Sequence, residues 1–225
     1  MEIKVVENVL MKNKQLAFEV RALLKEKKWS MFNFMSSPGS GKTALLEKLI
    51  PALGSLGIRV GVIEGDVTTA NDALRLQHLN IPISLINTEK FGGTCHLGSN
   101  VILGALETIK HEELDMVIIE NVGNLICPSE YDTGSSKNVV LISVTEGEDK
   151  PLKYPGMFRK CQIAVINKID LTEALEADVP LIRKNILQIH PDIDIFETSA
   201  KKENGIKILA EFLKKEHLLA ISTYV

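Results

Sequence analysis

The stretch NFMSSPGSGKTALLEKLI, residues 33–50, constrains the fold most, because an apolar run leads into a glycine-rich loop and then a helical pattern. In that context Gly39 and Gly41 let backbone N–H groups curl around phosphate oxygens at the positive end of a helix. We expect Lys42 to reach the β- and γ-phosphates and the Thr43 hydroxyl to ligate Mg²⁺. The loop also contains Ser37, Pro38 and Ser40. On this motif alone, a glycine-rich turn with an unrelated lysine remains the alternative.

Ser36 stands where the usual phosphate-loop pattern begins with glycine. A residue with a Cβ is tolerated at that position if its backbone keeps a negative φ. We therefore expect the loop to form despite this departure.

Short apolar runs alternate with helical stretches, which predicts an α/β fold with a mainly parallel seven-stranded sheet covered by helices on both faces. The strand candidates are MFNFM, IRVGVIE, ISLIN, MVIIEN, NVVLISVT, IAVINK and IDIFETS. The predicted crossover helices cover residues 42–53, 72–79, 97–111 and 203–217. Ligands of such sheets bind at the carboxyl ends of the strands, where the phosphate loop lies.

The length of 225 residues suits a single domain, with residues 1–29 forming an amphipathic helical segment packed on it. The net charge of −3 argues against nucleic acid or an anionic membrane as partner. The sequence contains neither an apolar run that could span a bilayer nor a secretory leader pattern, so we expect a cytoplasmic protein. The polar segments 127–138 and 145–156 are predicted to be loops, where movement is expected.

VINKID, residues 165–170, ends a predicted strand with the spacing of a guanine pocket. A carboxylate at Asp170 can accept hydrogen bonds from N1–H and the exocyclic amine of guanine, whereas adenine would leave it unpaired. Lys168 can cover the base face, and Asn167 completes the motif. In TSAK, Ser199 and Ala200 follow the next strand, and the Ala200 N–H can reach the guanine O6. The alternative is that Asp170 is only a helix N-cap.

Two acidic residues end other strands, Asp66 in VIEGDVTT and Glu120 in VIIENVGN. Carboxylates at this edge can hold Mg²⁺ or orient the attacking water. Gly123 is placed to give an N–H to the γ-phosphate. Together with Lys42 these residues are the predicted catalytic set, while Asp72 is better explained as a first-turn helix charge.

A second metal site is indicated by Cys95 and His96, adjacent on a glycine-rich loop, and by Cys127, which follows Glu120 closely. Thiolate and imidazole are preferred ligands of Zn²⁺ and Ni²⁺, and three protein ligands can hold one ion. Packing, not metal binding, is predicted for the remaining candidates, which are His78, His111, His190, His217 and Cys161.

GDVTTANDALRL, NTEKFGGTCHL, IENVGNLICP and TEGEDKPLKYPGMF occur in this order together with SSPGSGKT and VINKID. Over nearly the whole chain this pattern resembles the hydrogenase-maturation nickel-insertion GTPases of the HypB family. The resemblance implies a SIMIBI-class P-loop GTPase with slow turnover that forms a homodimer through its nucleotide faces. It further implies a nickel or zinc site at that interface, built from Cys95, His96 and Cys127 of each subunit. The implied partners are the nickel metallochaperone HypA and the large subunit of [NiFe]-hydrogenase.

The sequence departs from the family pattern in three respects besides Ser36. It has neither the N-terminal Cys-rich site nor the His-rich stretch of some members, and Gly98 and Ser99 stand where Asp and Ala are usual. Three alternatives remain: a sister metallocentre-assembly GTPase of the urease or cobalamin type, an ATPase of the partition or nitrogenase-reductase type, and a non-catalytic zinc-bridged scaffold. The ATPases carry a lysine where Ser37 stands. We further expect GTP to be linked to metal affinity, because Glu120, Gly123 and Cys127 share one short segment.

Overall fold

The computed structural model describes residues 4–65, 75–86 and 97–224, with side chains described from residue 11 onward. Its seven-stranded sheet has the order β3-β2-β4-β1-β5-β6-β7, and all neighbouring strands are parallel. The strands are β1 Ser30–Ser36, β2 Val60–Glu64, β3 Ile83–Leu85, β4 Met116–Gly123, β5 Lys137–Ser143, β6 Ile163–Asn167 and β7 Asp194–Glu197. Each coincides with a predicted apolar run, so the predicted α/β fold is confirmed.

The central strands are near-continuous apolar runs because helices cover both of their faces. The described α-helices are α1 Lys4–Lys27, α2 Lys42–Ser55, α3 Ser99–Ile109, α4 Lys150–Lys153, α5 Pro155–Lys160, α6 Val179–Ile189 and α7 Ile206–Ser222. One face of the sheet, with Phe32 and Ile118, packs against α2 and α7. The other face carries two apolar clusters, one with α1 and α3 and one with α5 and α6.

Helix α1 occupies the amphipathic N-terminal segment. Its buried side chains Val20 and Leu24 pack with Ile102 and Leu106 of α3 over β1 and β4. No helix in the described ranges is long and apolar enough to cross a membrane.

The segment 145–156 is not the open loop that its polar composition predicts. A 3₁₀ turn, Val144–Glu146, begins with a capping box between Ser143 and Glu146, and α4 and α5 follow it at once. Lys150 pairs with Glu146 at 3.1 Å. The capping box and the prolines at the starts of both helices outweigh the turn-forming composition. The segment 127–138 likewise contains one 3₁₀ turn, Cys127–Glu130. Of the predicted helix 72–79, residues 75–77 are helical and residues 78–79 form a turn, while residues 72–74 lie outside the described residues.

Packing is the correct interpretation for Cys161 and His217, which are buried. Burial raises the pKa of the Cys161 thiol and makes it unreactive. His190 is half-buried and its Nδ1 lies 3.1 Å from the Phe158 carbonyl oxygen. For His78 and His111 the packing interpretation is wrong, because both are exposed on the surface.

Candidate nucleotide and metal site

The glycine-rich loop leaves the carboxyl end of β1, the strand that lies between β4 and β5, and α2 begins directly after it at Lys42. Gly39 and Gly41 have φ values of 75° and 95°, a region that L-residues rarely adopt. A Cβ on Gly41 would lie 2.7 Å from Asn167 Nδ2, so this glycine also allows the loop to approach β6 closely. The loop therefore has the conformation and the place in the sheet that phosphate binding requires.

Ser36 is accommodated as predicted. It ends β1, is fully buried and does not adopt a positive φ. Its Oγ donates to the Ser37 carbonyl oxygen at 2.8 Å, so the side chain that replaces a glycine hydrogen turns back onto the loop.

The start of α2 faces the end of β4. Thr43 Oγ1 donates to Glu120 Oε1 at 2.7 Å, and both side chains are buried, as is that of Lys42. The Oγ atoms of Ser37 and Ser40 are buried without a hydrogen-bond partner among the described residues. Buried hydroxyls without partners are uncommon unless a ligand or water completes them. A hydroxyl and a carboxylate in contact beside such a loop fit Mg²⁺ and phosphate oxygens.

Glu64 is a buried acidic residue that the motif analysis missed. It ends β2 in register with Glu120 on the adjacent β4, and its side chain is fully inaccessible to solvent. Side chains paired across neighbouring strands lie on the same face, so both carboxylates belong to the face that α2 covers. The signal was present in VIEGD, because Glu64 is an acidic residue at the end of an apolar run, but only Asp66 was selected there.

The residues predicted to bind the base lie at the carboxyl ends of β6 and β7 and contact the phosphate loop. Asn167 Nδ2 donates to the Ser40 carbonyl oxygen at 3.1 Å, while Asn167 Oδ1 accepts from Thr198 Oγ1 at 3.1 Å. The Ala200 N–H makes a longer bond to the same Oδ1, at 3.4 Å. Lys168 Nζ donates to the Gly39 carbonyl oxygen at 2.6 Å. Loop and base motif are thus joined directly, as one nucleotide site requires.

Asp170 is not a helix N-cap. It lies inside the 3₁₀ turn Ile169–Leu171, where the capping position belongs to Lys168 in a left-handed conformation. The Asp170 carboxylate accepts a short hydrogen bond from Ser199 Oγ. The N-cap interpretation is therefore wrong, and the Asp170 carboxylate is half-buried beside Ser199 at the end of β7.

The predicted phosphate sensor ends β4, and one predicted thiol ligand follows it in the next turn. Gly123 pairs with Ser36 at the start of the phosphate loop, after an irregularity in the β1–β4 register. Four residues later, Cys127 is half-buried and begins the 3₁₀ turn. Asn124 Oδ1 accepts from the backbone N–H groups of Ile126 and Cys127, at 2.7 and 3.3 Å. The chain therefore passes from the phosphate loop to the thiol in one short, internally bonded turn.

Asp66, Asp72, Cys95 and His96 lie outside the described residues. Within the described ranges, no group of three or more His, Cys, Asp or Glu residues could hold a metal ion. The flanking residues are described: a Cβ built on Gly65 would lie 2.3 Å from Leu97 Cδ1, and Leu97 is buried. The residue before Asp66 thus packs against the residue after His96.

Comparisons with known proteins agree with this geometry. The family described as CobW/HypB/UreG, nucleotide-binding domain, matches residues 30–197. The "Probable hydrogenase maturation factor HypB" of Methanocaldococcus jannaschii is 38% identical over 213 residues, covering 95% of each chain. The crystal structure of HypB from Archaeoglobus fulgidus superposes with a TM-score of 0.85 at 37% identity, covering 92% of this chain and 100% of that one. The crystal structure of HypB from Helicobacter pylori in complex with nickel also superposes with a TM-score of 0.85 at 38% identity, covering 92% of this chain and 95% of that one.

Proposed function

Since this chain belongs to the CobW/HypB/UreG family and, within it, to the HypB proteins, we propose that it is a GTPase that assists nickel insertion into the large subunit of [NiFe]-hydrogenase. The observation that carries the proposal is the buried Thr43–Glu120 contact. It connects the phosphate loop to β4, and β4 leads within seven residues to the half-buried Cys127. The proposed triphosphate sensor therefore lies on β4, and the proposed thiol ligand lies in the 3₁₀ turn that follows this strand.

The nucleotide would bind along the loop, with its base between Lys168 and the β7 end. Asp170 would accept from the guanine N1–H and amine, and the Ala200 N–H would donate to O6, which selects GTP over ATP. Asn167 holds this pocket against the loop by its bond to Ser40. In this binding mode the γ-phosphate would lie beside Lys42 and Gly123.

Hydrolysis requires water to attack the γ-phosphorus while the β–γ bridging bond breaks, giving GDP and phosphate. Lys42 and the Gly123 N–H would stabilise the charge on the γ-phosphoryl oxygens, and Asp66 would orient the water. Thr43 and Glu120, with Asp66, are the residues that would hold Mg²⁺, which neutralises phosphate charge when bound. We expect slow turnover, because the proposed set contains no arginine to stabilise the transition state.

Nickel would be the cargo. Cys95, His96 and Cys127 from each subunit would bind it at a homodimer interface formed by the nucleotide faces, with zinc as a competing ion. GTP would order the segments around the γ-phosphate and assemble this interface; hydrolysis would loosen it and release nickel to a partner. The partners proposed are the metallochaperone HypA and the hydrogenase large subunit, in the cytoplasm.

The decisive experiment compares Ni²⁺ affinity by equilibrium dialysis with GDP and with a non-hydrolysable GTP analogue, together with sedimentation of both forms. We expect the analogue to promote the dimer and to change the Ni²⁺ dissociation constant at least about fivefold, the lower end of ordinary coupling energies. Equal affinities with both nucleotides would refute the coupling. Phosphate release from GTP, lost in Lys42→Ala, separates this function from a non-catalytic zinc-bridged scaffold.

A further inference from the structure

Three asparagine side chains lie side by side on the central strands, on the sheet face that carries two apolar clusters. Asn121 lies on β4, Asn33 on β1 and Asn138 on β5, where Asn33 and Asn138 are register partners. Asn33 stands between Met31 and Met35 in the alternation of β1, and each methionine belongs to one of the apolar clusters. Asn121 and Asn33 are 0% and 1% exposed. Buried carboxamides cost free energy unless their polar atoms are hydrogen-bonded, so this row needs a specific explanation.

The hydrogen bonds of the three side chains form one directed row. The Val122 N–H donates to Asn121 Oδ1 at 2.8 Å. Asn121 Nδ2 donates to Asn33 Oδ1 at 2.9 Å, and Asn33 Nδ2 donates to Asn138 Oδ1 at 3.1 Å. Asn138 Nδ2 donates to the Lys160 carbonyl oxygen at 3.2 Å. A backbone N–H can only donate and a carbonyl oxygen can only accept, so the two ends fix the orientation of all three amides. We call these three residues the asparagine relay.

The relay begins at a part of β4 that the strand ladders leave unpaired. Glu120 is paired with β1 on one side and with β2 on the other, and Gly123 is paired with the end of β1. Within the described strands, Asn121 and Val122, which lie between them, have no register partner on β1 or β2. The backbone at such a bulge has to be held by contacts outside the ladder. The Asn121 side chain supplies one, because its Oδ1 accepts from the next N–H along the chain.

We propose that Asn121 is a positioning residue for the γ-phosphate site. By accepting from the Val122 N–H, it fixes the peptide unit that comes immediately before the one carrying the Gly123 N–H. Asn33 and Asn138 act through Asn121, because their hydrogen bonds hold its amide against rotation. Donors that stabilise charge in a transition state are effective only when they are held in place beforehand. This inference rests on the proposed function, in which the Gly123 N–H binds the γ-phosphate.

The test compares wild type with Asn121→Ala in fluorescence titrations with GDP and with a non-hydrolysable GTP analogue. The variant should bind the analogue at least about fivefold more weakly, because a hydrogen bond to the charged γ-phosphate is no longer aligned. The affinity for GDP, which lacks this phosphate, should stay within about twofold of wild type. Single-turnover hydrolysis at saturating GTP should slow at least about tenfold. A general loss of stability would not separate the two nucleotides in this way.

A double-mutant cycle with Asn33→Ala tests whether the relay acts as a unit. Alone, Asn33→Ala should weaken binding of the GTP analogue relative to GDP, by a smaller factor than Asn121→Ala does. In the Asn121→Ala background it should cause no further selective loss, because the side chain through which it acts is absent. If Asn121→Ala does not fold, Asn33→Ala alone is the test variant, and its selective loss should be at least about threefold.

Asn185→Ala is the matched control for the loss of a buried amide. Asn185 lies on α6, is 8% exposed, and its Nδ2 donates to the Glu148 carbonyl oxygen at 2.8 Å. This variant should lose stability in urea titrations. Its affinities for both nucleotides and its turnover should stay within about twofold of wild type.

The inference is overturned if Asn121→Ala keeps the wild-type ratio of the two nucleotide affinities and the wild-type rate of hydrolysis. It is also overturned if GDP and the GTP analogue lose affinity by the same factor. A different result, in which wild type binds no GTP analogue and hydrolyses no GTP, overturns the proposed function itself. The two failures are therefore distinguishable.

Discussion

Gly65→Ala tests whether the chain just after β2 packs against Leu97, which lies just before α3. A Cβ at this position would lie 2.3, 2.9 and 3.0 Å from Cδ1, Cδ2 and Cγ of Leu97, all well inside ordinary contact distance. The Leu97 side chain would have to recede by about 1 Å, and it is only 1% exposed. Gly65 does not adopt a positive φ, so the backbone itself tolerates alanine. The cost of the substitution is therefore steric.

Overpacking of this kind costs about 1–3 kcal/mol of unfolding free energy, and Leu97→Ala alone should cost about 2–5 kcal/mol. In the double variant the alanine at 65 enters the space that Leu97 vacates. The combined loss should therefore be smaller than the sum of the single losses by about 1–3 kcal/mol. Urea titrations, followed by the fluorescence of the buried Trp29, measure the unfolding free energy of wild type, the two single variants and the double variant.

Gly104→Ala is the control for the glycine substitution itself. Gly104 lies in α3, and a Cβ there would meet no atom within 4 Å. Alanine should stabilise this helix by up to about 1 kcal/mol. Unfolding free energies that simply add in the Gly65–Leu97 pair, or a Gly65→Ala variant as stable as wild type, would refute the contact.

Three further predictions concern single sites. Asp170→Ala should reduce GTP affinity at least about tenfold, or 1.4 kcal/mol, and leave ATP affinity unchanged in fluorescence titrations; a retained preference for GTP would contradict the base assignment. Native-state alkylation with peptide mass spectrometry should modify the half-buried Cys127 and spare Cys161, whose burial raises the thiol pKa, and Ni²⁺ should protect Cys127. Burial lowers the pKa of His217 below its ordinary 6.5, although the nearby charge of Asp115 opposes this shift. On acidification the unfolded state therefore binds a proton at His217 at a higher pH than the folded state does. The unfolding free energy should therefore fall as the pH drops below about 6.5, and His217→Gln should show a weaker fall in parallel urea titrations at about pH 7.5 and 5.5; equal pH dependence in both would contradict this.

The strands of the sheet could be predicted because each one is recognised from a short stretch of sequence. Each strand is a short apolar run, and the phosphate loop fixes β1 and α2 by the spacing of Gly39, Gly41 and Lys42. The same holds for the base motif, whose Asn167 contacts the loop as expected of one site. Each of these features is recognised from residues that are close together in the sequence.

Contacts between segments that are distant in sequence could not be predicted in this way, because no short stretch of sequence indicates them. Nothing in the periodicity of α1 distinguishes Asn13 from a solvated polar residue, and only the fold brings it to Ser99 and Asp132. The Gly65–Leu97 contact could not be predicted from the sequence either, because the two residues lie in separate motifs. The loop prediction for 145–156 was wrong for a different reason: prolines and acidic residues favour turns on average, but here they begin helices.

The register of β1 and β4 shows how the phosphate loop and the turn that begins at Cys127 are connected. Phe34 pairs with Glu120, but Ser36, two residues later, pairs with Gly123, three residues later, so β4 carries one extra residue beside the phosphate loop. A bulge of this kind bends its strand and redirects the side chains beyond it. The part of β4 before the bulge is fixed by pairing with both β1 and β2, whereas the part after it leads to Cys127. In the proposed function, a change at the γ-phosphate would move the segment that contains Cys127 through the dihedral angles of this bulge, while the paired part of the sheet would stay in place.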